Sequence, residues 1–508
     1  MSQTHLADRD RPPTAGRRSY RMLWIMLFGG WLFAYADRAI TGPVVTWMID
    51  NDVSFMHAAQ NPHALGGLIG SLFFAGYMLT QLPSGSLGDR YGHATMLVVS
   101  FVWAGVATII SGAITGLFVF VAMRVLTGLG EGAFYSNDRA LIVAHTPAPE
   151  RSLGLGVAIT GLAFGLTVAN IAAPPLLDFG ASVLGKEQGW RMPFLIFGVL
   201  TLLVSAVMWW FLRRLVGRLR PGRPALRLLG VSAVFCALIM ALFWASDSLG
   251  LPEWASALAQ VALALAIVFV MRRRGAFGQP RARRGGSGVI DRETLLIYVA
   301  GIAILWSIWL FGYWSVAIVS SAADSSLVEA GLTAAFNAGA GIIGFPVGGW
   351  LSDRALQRGW GRRNLLIAAT VAQGVLVLLF GIYLQNVQQP SLWVMGLLLF
   401  ATGLFLNAVQ PMSQALTADL VRDESRGAAF GMWNLIAEIG AVASPVVSGA
   451  LRDTTGSWST AVYVDAGLVL ASAFLYLGVR RTGPLARDDA GPEGGPAHGE
   501  SVVASAGD

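Results

Sequence analysis

The stretch PSGSLGDRYGH at residues 83–93 follows a hydrophobic run, and its pattern returns in PVGGWLSDRALQRGWGRR at residues 346–363. Gly85, Leu87, Asp89 and Arg90 match Gly349, Leu351, Asp353 and Arg354 at a constant offset of 264 residues. A second pair recurs at an offset of 275: PERSLGLGVAITG (149–161) is similar to DESRGAAFGMWNLIAEIG (423–440), with Arg151 opposite Arg426. Two motifs in the same order at nearly the same spacing mean that a half-chain is repeated. In a membrane chain, two similar bundles suggest alternating access, with a substrate held between them near the midplane.

Composition supplies the membrane. Of the 508 residues, 55% are hydrophobic and only 13% charged, and mean hydropathy is +0.61. A lipid-spanning helix needs roughly 20 mostly apolar residues. Runs of that kind lie near 22–46, 66–86, 95–114, 117–138, 152–176, 193–213, 226–246, 253–271, 294–320, 331–351, 364–384, 391–416, 427–450 and 459–479. They amount to about 14 helices, two of them inserted between the repeated halves. The basic loops (RDRPPTAGRRSYR, DRYGH, RRLVGRLRPGRPALR, RRRGAFGQPRARR, DRALQRGWGRR) alternate with loops poor in Arg and Lys. An even number of spans puts every basic loop on one side, so both termini are expected in the cytoplasm. The net charge of +6 is explained by those loops, and no nucleic-acid partner is expected.

The divisions that follow are a cytoplasmic tail at 1–21, a six-helix bundle at 22–214, linkers with two extra spans at 215–292, a second bundle at 293–481, and a disordered cytoplasmic tail at 482–508. The arginines before the first apolar run suit a signal peptide, but the run is too long and lacks a small-residue cleavage site, so it reads as a retained span. Cys236 is the sole cysteine. It excludes an internal disulfide or a multi-cysteine metal site and reads as apolar filler.

GSLGDRYGH resembles the signature loop between the second and third helices of the major facilitator superfamily, and GWLSDR…RR resembles its equivalent in the second half. The resemblance covers about residues 20–215 and 293–480. It implies the major facilitator fold, with this loop bridging the bundles on the cytoplasmic side and steadying the outward-facing state. The conformational-switch residues are then Gly85, Asp89, Arg90, Gly92, Gly349, Asp353 and Arg354. Physically, Gly88 and Gly92 permit tight turns, and Asp89, between two helices, is placed to cap backbone N–H groups. The bland alternative is charge that merely orients the helices.

A narrower resemblance rests on YADR (35–38), GYMLTQLPSGSLGDR in the second helix, RVLTGLGEGAFYSNDR (124–139) in the fourth and GWRMPFLIFGVL entering the sixth. These are similar to the anion:cation symporter branch, which includes bacterial sugar-acid carriers and vertebrate organic-anion carriers. Asp37 and Arg38 lie deep in the first helix. Arg124 and Glu131, seven residues apart, share a face of the fourth. Charges at that depth cost several kcal/mol each unless paired or wetted, and burial against arginine gives a carboxyl two usable protonation states. The resemblance implies Asp37 and Glu131 as proton-coupling carboxyls, Arg124 as partner of an acid on the first or fourth helix, and Arg38 as the group meeting a substrate carboxylate. Bidentate geometry favours Arg over Lys for that task. The alternative for all four is an ion-pair set that only tethers the two helices.

Tyr77 stands where this branch has a substrate-contacting tyrosine, and also reads as a packing aromatic. Asn434 matches a polar family position and is expected to face the cavity. Glu438 has no counterpart in the compared carriers. It reads as a second proton site or as the mark of a cationic or zwitterionic substrate. Leu162 replaces a polar contact of the sugar-acid carriers, and WSIWLFGYW (306–314) suits a more apolar anion.

The expected function is proton-coupled import of a small organic anion, such as a sugar acid or aromatic acid, across the bacterial inner membrane. The alternative is a proton-driven drug or metabolite exporter of the 14-helix type, from which the fifth helix departs because GLAFGLTVANIAAPPLL lacks the expected Gly-Pro pairing. An enzyme is not expected. All six histidines lie in tails, loops or helix ends, and no HExxH or paired-cysteine pattern exists. No cofactor or metal is expected beyond the proton gradient, and the partners are substrate, protons and lipid, with the chain a monomer.

Overall fold

The computed structural model describes residues 17–147, 150–273, 289–422 and 426–480. The two expected tails and most of the basic linker lie outside those residues. Among the described residues the regular structure is all helical. The first bundle holds α1 (Arg17–Ala39), α2 (Thr41–Asp50), the single turn α3 (Ser54–His57), α4 (Pro62–Tyr91), α5 (His93–Ala113), α6 (Leu117–His145), α7 (Arg151–Leu184) and α8 (Arg191–Val216). Between the bundles come α9 (Gly222–Ser248) and α10 (Glu253–Arg273). The second bundle holds α11 (Arg292–Ala323), α12 (Leu327–Gln357), α13 (Arg362–Asn386), α14 (Leu392–Leu420), α15 (Arg426–Thr455) and α16 (Ser459–Leu477).

Twelve of these helices are long and apolar enough to cross a membrane. The other two expected spans are special cases. The first is divided at Ile40 into α1 and α2. Pro43 has no N–H to give the Ala39 carbonyl and crowds it, so the ladder is interrupted there. The kink falls just beyond Asp37 and Arg38. The tenth helix is the other, its predominantly apolar part shorter and running over Glu253–Ile267. The α10 helix lies against both α4 and α15 and so covers the seam between the bundles.

The signature stretches are not loops. The α4 helix continues through the motif to Tyr91, and Gly92 alone, at φ +92°, turns the chain into α5. A left-handed φ is cheap only for glycine. Asp89 therefore does not cap: it sits inside the last turn of α4, α5 has no side-chain cap, and Asp89 pairs instead with His93 at 3.4 Å. In the second half α12 runs to Gln357, and α13 begins at Arg362. There Asp353 pairs with Arg362 at 2.7 Å, and Arg362 also holds Asp419 of α14 at 3.0 Å. Arg354 lies over the Trp350 ring, so Arg362 is the ion-pairing arginine of that repeat.

The bundles meet tightly at one end, where α2 finishes and α4 begins. Gly42 of α2 lies so close to the Tyr313 carbonyl of α11 that a Cβ there would collide with it, and Gly67 of α4 is equally tight against the Pro445 carbonyl of α15. Asp453 of α15 reaches across and caps α4. Its carboxylate accepts from the Ala64 backbone N–H at 2.8 Å and meets His63 Nδ1 at 2.6 Å. Tyr313 Oη donates to the Gly66 carbonyl at 2.6 Å. At the opposite end Asp89 and Arg90 are exposed. Among the described residues neither bonds to the second bundle, because the closed end holds the bundles together elsewhere. The expected bridge at the signature motif is absent in this state.

Asp453 supplies the charge that caps α4, worth about 1.5–3 kcal/mol for hydrogen bonds to an ionised group. Asp453→Ala is expected to open this end. Ala317 lies four residues beyond Tyr313 on the same face of α11 and is buried. In a Cys236→Ser background, Ala317→Cys should be alkylated by an impermeant maleimide on the order of tenfold faster when Asp453→Ala is added. An unchanged rate would show that the cap does not hold the end shut.

Candidate functional site

The kinked first span and α6 lie side by side and bring four buried charges together. Arg38 donates from Nε to Glu131 Oε2 at 2.9 Å, and its Nη2 lies 2.8 Å from the same oxygen. Arg124 lies 3.9 Å from Asp37 Oδ1. Thr108 of α5 joins that pair, donating to Asp37 Oδ2 at 2.7 Å and accepting from Arg124 Nη2 at 3.1 Å. Arg124 is further held by Ser111 and Thr127 hydroxyls and lies over the Phe194 ring. All four charged side chains are less than 5% exposed. Among the described residues Asp37 Oδ1, Arg124 Nη1 and Glu131 Oε1 are buried with no hydrogen bond. The set is electrically balanced but not saturated, which is how a group that exchanges partners differs from a rigid tether.

Arg38 is separated from the space between the bundles by aromatic rings. Its Cζ lies 4.1 Å from the Tyr35 ring centroid and 4.5 Å from that of Tyr77. Beyond those rings is a narrow cavity on the midplane side of the closed end. Tyr35, Tyr77, Tyr135, Trp31 and Arg139 line it from the first bundle, and Trp309, Gln410, Asn434 and Glu438 from the second. Leu162, Ile159 and Leu305 complete an apolar wall. Tyr35 stacks on Trp309 across the interface at 5.9 Å. Asn434 donates to Gln81 Oε1 of α4 at 2.9 Å and contacts Glu438 Oε1 at 3.3 Å. Thus Tyr77, Asn434 and Glu438 face one cavity, Arg38 stands one ring behind it, and Asp37, Arg124 and Glu131 form the layer behind Arg38.

Two neighbouring charges went unassigned in the sequence. Asp138 accepts from Trp31 Nε1 at 2.7 Å and pairs with Arg139 at 3.0 Å. Arg139 lies 3.8 Å over the Tyr135 ring and reaches the cavity. The signal was available: Arg124, Glu131 and Asp138 are spaced by seven, so all three fall on one face of α6. A second cluster lies apart, where Ser307 donates to Asp465 of α16 at 2.6 Å and accepts from Gln373 at 3.3 Å. Asp465 is the lone acid of its helix.

The model of the Major Facilitator Superfamily matches residues 27–360 and 297–503 of the chain. A D-galactonate transporter of Escherichia coli O6:H1 is 23% identical over 91% of this chain and 95% of its own length. A 4-hydroxybenzoate transporter of Pseudomonas aeruginosa is 25% identical over 90% of each chain. Among solved structures, a D-xylose–proton symporter superposes with a TM-score of 0.62 at 14% identity, over 91% of this chain and 98% of the other.

Removing one member of a buried ion pair strands the other, at about 3–5 kcal/mol. Arg124→Leu is therefore expected to lower the melting temperature of the purified protein sharply, and Asp37→Asn combined with Arg124→Gln to restore most of it. A double variant no more stable than Arg124→Leu would dissolve the Asp37–Arg124 pairing.

Proposed function

We propose, for a chain that belongs to the major facilitator superfamily and is a transporter rather than an enzyme, that it imports a small organic anion together with protons. The observation that carries this reading is the Arg38–Glu131 pair one aromatic layer behind a cavity between the bundles. Arg38 has one carboxylate partner among the described residues, Glu131. A carboxylate substrate that takes Arg38 deprives Glu131 of its counter-ion, and a buried carboxylate without a counter-ion takes up a proton. The same exchange read backwards makes a protonated Glu131 release Arg38 for the anion. Asp37, held by Arg124 and Thr108 beside Glu131, relays or stores the proton as the two carboxyls titrate together. Tyr35 and Tyr77 must turn aside for the anion to reach the guanidinium, which ties binding to rearrangement at the bundle interface.

Alternating access then follows from the two ends. The end sealed by Asp453 and Tyr313 opens as the opposite end closes, where Asp89, Arg90, Gly85 and Gly92 of the first repeat approach the second bundle, with Gly349, Asp353 and Arg354 in the equivalent role. The Arg- and Lys-rich loops support an orientation in which the end now apart, and both chain termini, face the cytoplasm of a bacterial inner membrane.

The test is uptake into proteoliposomes against a panel of organic anions. An inward proton gradient should drive accumulation in the wild type. Glu131→Gln should lower it on the order of tenfold while exchange of the same anion without a gradient persists, the signature of lost coupling rather than lost binding. Asp37→Asn should behave alike. Full accumulation in both variants, or gradient-driven efflux of cations with no anion uptake, would contradict the reading.

A further inference from the structure

The charges around the cavity do not balance. Three guanidinium groups, Arg38, Arg124 and Arg139, face four carboxyl groups, Asp37, Glu131, Asp138 and Glu438. Three of the carboxyls are matched: Glu131 by Arg38, Asp37 by Arg124, Asp138 by Arg139. Glu438 is left over. It is 5% exposed, lines the cavity, and forms no ion pair among the described residues. It takes a polar contact from an amide, Asn434 at 3.3 Å, which itself is held to Gln81. Amides solvate a carboxylate without cancelling its charge.

We infer that the cargo is an aromatic amino-carboxylate whose ammonium group sits on Glu438 while its carboxylate takes Arg38. The inference rests on the exchange of a cargo carboxylate for Glu131 at Arg38 proposed above, and extends the cargo from a plain anion to a zwitterion that carries such a carboxylate. With Glu131 protonated and Arg38 released, the seven protein groups sum to zero. A simple monocarboxylate entering that site leaves one net negative charge buried between the bundles, at a cost of several kcal/mol. A zwitterion leaves none. Its two ends then bridge α1 of one bundle and α15 of the other, so a full-length cargo gives both bundles a reason to close on it. The walls choose the body of the molecule. Tyr35, Tyr77, Tyr135, Trp31 and Trp309 offer ring faces, and Leu162, Ile159 and Leu305 offer no hydrogen bonds. A polyhydroxylated sugar acid would strand its hydroxyls against Leu162 and Leu305, whereas a ring gains by stacking. Ring faces also favour an ammonium in transit.

The test uses two matched pairs in proteoliposomes: L-phenylalanine with 3-phenylpropanoate, and 4-(aminomethyl)benzoate with 4-methylbenzoate. In each pair only the amino group differs. In the wild type the amino member of at least one pair is expected to bind and accumulate with on the order of tenfold preference. Glu438→Gln keeps the shape and the Asn434 contact but removes the charge. It should bring that preference to about twofold or less, chiefly by improving binding of the plain carboxylate, which then leaves no net negative charge in the site. Equal or better binding of the plain acids in the wild type overturns the inference without touching the anion reading, and needs no variant. Loss of plain-acid accumulation in Glu438→Gln also overturns it, and makes Glu438 a proton site. Binding of none of the four compounds overturns the aromatic cargo, and the anion panel then decides whether the broader reading stands.

Discussion

A charge inside a bilayer must find an opposite charge or a wet space, and this molecule is arranged around that demand. In the first bundle Asp37, Arg38, Arg124 and Glu131 satisfy each other at distances of 2.8 to 3.9 Å. Their balance allows the charges to be there, and their spare lone pairs allow the partners to change. Thr108, Ser111 and Thr127 supply hydroxyls that hold Arg124 in place, so the exchangeable member of the set is the Arg38–Glu131 pair. It is also the pair nearest the cavity.

The fold gives that exchange a mechanical outlet. Arg38 sits just before the kink that separates α1 from α2, and α2 is the element whose Gly42 closes against α11. Tyr35, one turn away on the same helix, stacks on Trp309 of the other bundle. An event at Arg38 therefore bears on both the kink and the interface. The same closed end is also held by a second set, Asp453 on the first turn of α4. The inserted α10 touches both partners of the α4–α15 seam, so it travels with any opening there.

Much of the architecture was legible in the residues. The offset repeat gave two bundles, and the apolar runs gave nearly every helix. What failed was local. The turn was expected over PSGSLGDRYGH because it combines a proline with glycines, serines and charge, yet the α4 ladder tolerates them all until Gly92. The reason is physical: the charges fall at the end of the helix, where they need no bundle contact, and only a positive φ ends it. Asp89 consequently lost its expected cap. In the second repeat Asp353 pairs with Arg362, across the turn from α12 to α13, while the adjacent Arg354 lies over Trp350, a choice the aligned motifs alone do not show. The pairing inside the site was half visible. Spacing put Arg124 and Glu131 on one face, but which acid meets which arginine depends on the height of α1 against α6, a packing quantity. Asp138 was readable by the same spacing, and Arg139 follows it as its neighbour and ion-pair partner.

The central claim is that an anion at Arg38 and a proton at Glu131 exchange for one another. Calorimetric titration of the purified protein with a bound organic anion, in buffers of different ionisation enthalpy, counts the protons taken up on binding. The account predicts net proton uptake in the wild type near neutral pH and its loss in Glu131→Gln with binding retained. Binding that is independent of buffer in the wild type would contradict it.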